Sequence, residues 1–240
     1  MRYQNDIKKM NTNRNLFLMS LPIFVELLLQ LLVGNVDQMM VSRVSQQSVA
    51  AIVNANQIMN LVIIVLSMAS TAVTVILSQY LGAEDEENVS RTCMVSVTLI
   101  GGVGLAATAL VFAGYGPLYR ALHVTDDVFE EARAYLLIVA SFIVVQGLYL
   151  VFSAMIRAFA MMKEVMFVSI IMNVMNILGN AILINGWFGL PRLGAVGAAI
   201  STDFSKLAGL ALILWLFAKR TGVRMGIRYL RPFPVRILKN

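Results

Sequence analysis

Charge is what this 240-residue sequence has least of: Asp, Glu, Lys and Arg make up 13% of it, against 59% hydrophobic residues. A soluble domain of that length needs far more charge to cover its surface, and here the charges gather in short stretches between long apolar runs. A water-soluble fold is excluded. Cysteine is almost missing too: the single Cys93 lies inside an apolar run, which rules out an intrachain disulfide framework and makes it a packing residue. The single His123 sits in a polar stretch without a Cys or second His at ligand spacing, so a zinc site lacks its donors. No strand pattern precedes LGAVGAA around Gly194, which makes that glycine run the start of a membrane helix and not a nucleotide loop. Paired catalytic acids, or a nucleophile and base at one depth, are missing as well, which places an intramembrane enzyme last among the function classes. A cleavable signal is not expected, because the apolar run after the basic N-terminus is too long for a signal-peptide core.

What the sequence does have is six apolar runs of spanning length: Leu16–Val41, Ala50–Leu81, Cys93–Phe112, Tyr135–Phe159, Val165–Ile184 and Ala195–Phe217. They predict an all-α membrane protein with six transmembrane helices. Pro22 removes a backbone donor near the start of the first span and gives a cause for a kink there. Gly101, Gly102 and Gly104 suit close packing of the third. Between the spans lie an acidic turn at Gly82–Asn88, a longer loop at Gly114–Glu131 and the turn NGWFGLPRLG, in which Trp187 is placed as an interface anchor. The expected organisation is a cytoplasmic tail at 1–15, a transmembrane lobe at 16–218 and a basic cytoplasmic linker at 219–240. That linker suits anionic lipid headgroups better than nucleic acid. Fourteen of the 19 basic residues fall on the side that holds both termini, while Arg43, Arg120, Arg133 and Arg192 fall on the other. The positive-inside rule therefore makes both termini cytoplasmic. The remaining base, Lys206, lies inside the sixth span, and Asp203 three residues before it is its expected neutralising partner.

The polar residues inside the spans carry the functional argument. Eleven residues at about 100° each bring Asp37 back to within roughly 20° of Glu26, and Gln30 falls on the same predicted stripe. An acid in a spanning helix costs at least ~2.5 kcal/mol, so this stripe should point into a bundle or a wet cavity. Asn173, Asn176 and Asn180 share a face of the fifth span, extended by Ser169, while Gln146 stands at mid-depth in the fourth and Thr202 and Ser201 begin the sixth. A carboxylate facing amide and hydroxyl oxygens is what a small hard cation, or a proton shared through hydrogen bonds, requires. The alternative is that the asparagines are interhelical glue worth ~1 kcal/mol each.

Several stretches resemble the multidrug and toxic compound extrusion (MATE) transporters: VDQMMVSR at 36–43, SQYLGAEDEE at 78–87, MIRAFAMMK at 155–163 and NILGNAILINGWFGLPRLGAVGAAIST at 176–202. The resemblance implies twelve helices in two six-helix lobes with a substrate cavity between them, of which this chain looks like the N-terminal lobe. A second lobe, supplied as a covalent C-terminal half or as a second copy, is then the expected partner. It implies export of organic, often cationic, drug-like compounds in exchange for Na+ or H+, across a bacterial cytoplasmic membrane and with no other cofactor. Carried over onto this sequence, the family's cation site falls on Asp37, Asn176, Asn180 and Thr202. Glu26, Gln30, Gln146 and Asn173 are cavity or coupling candidates. Asn180 stands where some members have a second acid, and Ser42 and Ala160 stand where loop glycines are common. A flippase for lipid-linked precursors is the nearest alternative, and Lys206 as sole intramembrane base speaks against phosphate binding there. A nontransporting partner lobe is the alternative from another class.

Overall fold

A computed structural model describes residues 13–42, 45–189, 191–223, 225–226 and 229. Most of the expected N-terminal tail, Arg43 and most of the basic linker lie outside these. Among the described residues the chain forms seven α-helices and no strand: α1 Asn13–Ser42, α2 Gln46–Gly82, α3 Glu86–Ala121, α4 Asp126–Ser141, α5 Ile143–Ala158, α6 Met162–Asn185 and α7 Gly194–Arg220, with a 3-10 turn at Trp187–Gly189. Five helices are long and apolar enough to cross a membrane, and α4 with α5, bent by 46°, completes a sixth span.

The expected fourth span is thus two helices, and the break has a local cause. At Phe142 (φ −103, ψ 11) the chain leaves helical geometry, and the Ala140 carbonyl accepts a hydrogen bond from the Thr108 hydroxyl of α3 at 3.2 Å. A side chain from a neighbouring helix has entered the ladder, a recognised origin of kinks. Gly104 makes the approach possible, since a Cβ there would sit 3.2 Å from the Val144 backbone. Gly101 and Gly102 face open space, so of the three glycines expected to pack, one does.

The expected loop at Gly114–Glu131 shrinks to four residues between α3 and α4. Helix α3 carries Pro117 in its last turns and ends in a Schellman arrangement, with Val124 N–H bonded to Tyr119 O and His123 N–H to Arg120 O. The same closure ends α2 at Glu84 and α5 at Ala160, and all three residues have positive φ (53° to 61°). Glycine is the usual occupant of that position, and none of these helices has it. Asp85 caps the start of α3, accepting from the Asn88 backbone and side chain at 3.0 and 2.6 Å. Those bonds, the backbone one first, hold its carboxyl below the ordinary carboxylate range. Part of the acidic turn is therefore a helix cap, with Glu86 and Glu87 in the favourable first turn.

Helix α2 is central, packing on α3, α4 and α5, while α1 lies at one edge and rests chiefly on α6. The core holds Leu66 and Leu77 from α2, Ile100 from α3, Leu136 from α4 and Met155 and Ile156 from α5. The tightest contact joins α6 to α7. A Cβ at Gly179 would meet the Ser201 hydroxyl at 2.3 Å, and one at Gly197 would meet the Leu183 carbonyl at 2.8 Å. Close approach through small residues is how helices gain packing energy where lipid removes the hydrophobic drive. Ser201 then donates to the Asn176 carbonyl at 2.9 Å, which fixes the register of α7 against α6.

Candidate functional site

That register sets Thr202 opposite the amide face of α6. Asn180 is fully buried and donates from Nδ2 to Asp37 Oδ1 of α1 at 2.6 Å. Its second donation, at 3.3 Å, goes to Asn176 Oδ1. Asn176 Nδ2 in turn donates to Thr202 Oγ1 at 3.1 Å. The four residues from three helices therefore form one continuous network. The Asn176 amide has a second orientation of the same shape: with O and N exchanged, Nδ2 donates to both Asp37 oxygens at 3.1 and 3.3 Å, and Oδ1 accepts from Thr202 Oγ1 at 3.1 Å. In the first orientation an amide oxygen confronts the carboxylate; in the second, an amide donor satisfies it.

Other predicted residues fall elsewhere. Glu26, buried on α1, receives Arg157 Nη2 on both carboxylate oxygens at 2.8 and 2.9 Å. It is an ion-paired residue of α1 and α5, about 16 Å along α1 from Asp37 at 1.5 Å per residue. Arg157 lies in the last turn of α5, so Lys206 is not the sole base within the spans. Gln30 is exposed, unlike Glu26 and Asp37. Helix α1 touches the lobe along a narrow face, and Gln30 sits about 20° beyond Asp37 on its outer margin. Asn173 is buried one turn from Asn176, its Nδ2 without a partner. Gln146 is half-buried on α5 and stands outside the Asp37 network.

The expected Asp203–Lys206 bridge does not form. Both Asp203 oxygens are buried without a hydrogen-bond partner, and no Lys206 contact within 4 Å is among the described salt bridges. The two groups interact only through space. The short Asp203 side chain is held inside the bundle, while Lys206 three residues on is partly exposed. Tyr135 of α4 stands in the field of both Asp37 and Asp203, and its hydroxyl reaches Asn56 Oδ1 at 3.5 Å. Sequence reasoning missed Tyr135 and the role of Arg157, although an arginine inside the stretch read as a span was itself a signal.

The MatE family model matches residues 22–182 of this chain. The chain belongs to the MATE family of transporters. Members of that family are multi-pass membrane transporters and not enzymes, in keeping with the spanning helices described above. A relative in Bacillus subtilis, the uncharacterized transporter YisQ, is 36% identical over 214 residues, 89% of this chain and 47% of that protein. The probable multidrug resistance protein NorM of Thermotoga maritima is 29% identical over 212 residues, 86% of this chain and 45% of that one. A crystal structure of MATE in the bent conformation shares the fold with a TM-score of 0.82 at 21% identity, covering 92% of this chain and 49% of its own. A MOP superfamily transporter from Pyrococcus furiosus, described by the reverse polarity of its binding pocket, gives 0.81 at 23%, with 92% and 48% covered. The chain thus spans about half the length of the MATE proteins it matches.

Proposed function

We propose that this MATE chain is the N-terminal lobe of a cation-coupled antiporter that exports organic, cationic compounds in exchange for Na+ or H+. The observation that carries this reading is the meeting of Asp37 with Asn176, Asn180 and Thr202, from three helices, around one carboxylate. With its oxygen toward Asp37, the Asn176 amide puts a third oxygen 3.1 to 3.3 Å from the two carboxylate oxygens. That is the spacing of neighbouring ligands on one small cation. With its nitrogen toward Asp37, it stabilises the bare carboxylate instead. The Asn176 amide can thus offer Asp37 either an oxygen or an N–H.

Isothermal titration of the purified chain with Na+ at several pH values, wild type against Asp37→Asn, tests the proposal. Binding in the wild type and its loss in the variant is the expected result. Equal binding by both folded proteins would place the cation elsewhere. The substrate cavity is completed by a second six-helix lobe, a reading supported by the half-length match to the relatives.

A further inference from the structure

A second polar group of residues lies deeper along α6, outside the Asp37 network. Asn180, Asn176, Asn173 and Ser169 repeat at intervals of four, three and four, so they line one face of α6 over about 16 Å. At the Ser169 end this face meets Tyr149 and Ser153 of α5. The Tyr149 hydroxyl lies beside both serine hydroxyls and in the field of Glu26 and Arg157. The three hydroxyls meet one another without closing a hydrogen bond of good geometry, and Asn173 Nδ2 and Arg157 Nε are buried without a protein partner.

Such a run of buried, poorly bonded polar atoms is unusual, because buried polar groups in folded proteins are nearly always well bonded, to protein or to ordered water. Three hydroxyls, an amide N–H and a guanidinium N–H offer the alternating donors and acceptors that a chain of small polar molecules needs, and no apolar ligand would satisfy them. The file starts at the Asp37 network and ends at the Glu26–Arg157 pair. Both acids stand on α1, so a movement of α1 that disturbs one end is felt at the other.

We infer that a hydrated path runs along α6 between Asp37 and the Glu26–Arg157 ion pair, admitting water and a small monovalent cation, and that the ion pair closes its far end. This inference rests on the cation-site reading of Asp37 for its purpose, but not for its existence. Opening requires parting Glu26 from Arg157, hence α1 from α5.

Silver ion, a small monovalent cation that blocks thiols and does not enter lipid, is the probe. Ser169→Cys and Asn173→Cys, each made with Cys93→Ala in the full chain in liposomes, are exposed to Ag+. They are then denatured and labelled with a maleimide. Phe167→Cys, on the exposed side of the same helix, is the comparator. We expect the two path cysteines to lose labelling while Phe167→Cys keeps it, and the loss to be several-fold faster when Glu26→Gln is added. Path cysteines that are protected as well as Phe167→Cys overturn the path. Unchanged rates with Glu26→Gln overturn its closure by the ion pair. Silver access that persists in Asp37→Asn, together with no Na+ binding in the wild type, would instead defeat the cation-site reading and leave the path standing.

Discussion

At the scale of single residues, Ala160 and Glu26 each stand against a local rule. Ala160 occupies the left-handed position of a Schellman closure with φ 61°, where a Cβ costs roughly 1–2 kcal/mol. Ala160→Gly should therefore stabilise the lobe by about 1 kcal/mol, after allowance for the greater freedom glycine brings to the unfolded chain. Thermal denaturation in detergent reads this directly, and a lowered midpoint would show that the methyl group makes contacts that outweigh the strain. Glu26 is the other. Its carboxylate is almost wholly buried, while the Arg157 side chain keeps 29% of its surface exposed. Removing Arg157 leaves a buried charge unpaired, a loss of about 3 kcal/mol at the low end of the range for buried pairs. Arg157→Met should thus unfold the lobe more easily than Glu26→Gln with Arg157→Met combined. If the single and double variants melt together, the pair is not coupled. The sequence announced that Glu26 could not face lipid, yet it did not name the partner. Arg157 is 131 positions away, and only the folding of α5 onto α1 brings the two together. The same physics explains why Asp203 was misread: spacing along a helix brings two side chains near, but length and burial decide whether they touch.

Among the elements, the long helices were legible and their ends were not. Six apolar runs of spanning length are a strong signal because backbone groups in lipid must be satisfied internally. Gly114 and Pro117 made α3 look finished at Phe112, whereas both lie inside a helix that continues to Ala121, and the residues that do close α2, α3 and α5 in the left-handed position are Glu84, His123 and Ala160. The break between α4 and α5 is legible only from outside, since Thr108 on another helix supplies the hydrogen bond that replaces part of the ladder. The amide face of α6 was readable from a spacing of three and four. What the spacing could not give was the depth of α7 against it, which depends on Gly179 and Gly197. Gly179→Ala puts a methyl group where Ser201 now sits and should push α7 outward, at a cost of about 1–3 kcal/mol. Thr202 moves with it, so Na+ affinity should fall in the titration even where the variant remains folded. Unaltered affinity in Gly179→Ala would remove Thr202 from the site, leaving Asp37 and the α6 amides.

For the whole molecule, the outer margin of α1 is informative. Gln30, Gly34 and Gln38 lie exposed on one line at intervals of four, and Gln57 and Asn60 are exposed on α2. Amides in contact with lipid tails are costly, so these faces call for protein or water beside them. The second six-helix lobe proposed above, enclosing a wet cavity, would provide both. On the proposed reading the two activities separate by location, with the cation bound inside this lobe and the export route shared with a second one. Liposomes holding this chain alone should accordingly bind Na+ but show no Na+-driven export of an organic cation dye. Export should appear when a C-terminal MATE lobe is co-expressed and purified with it. Export by the chain alone would mean that two copies of it build the cavity, which light scattering on the same preparation would reveal as a dimer.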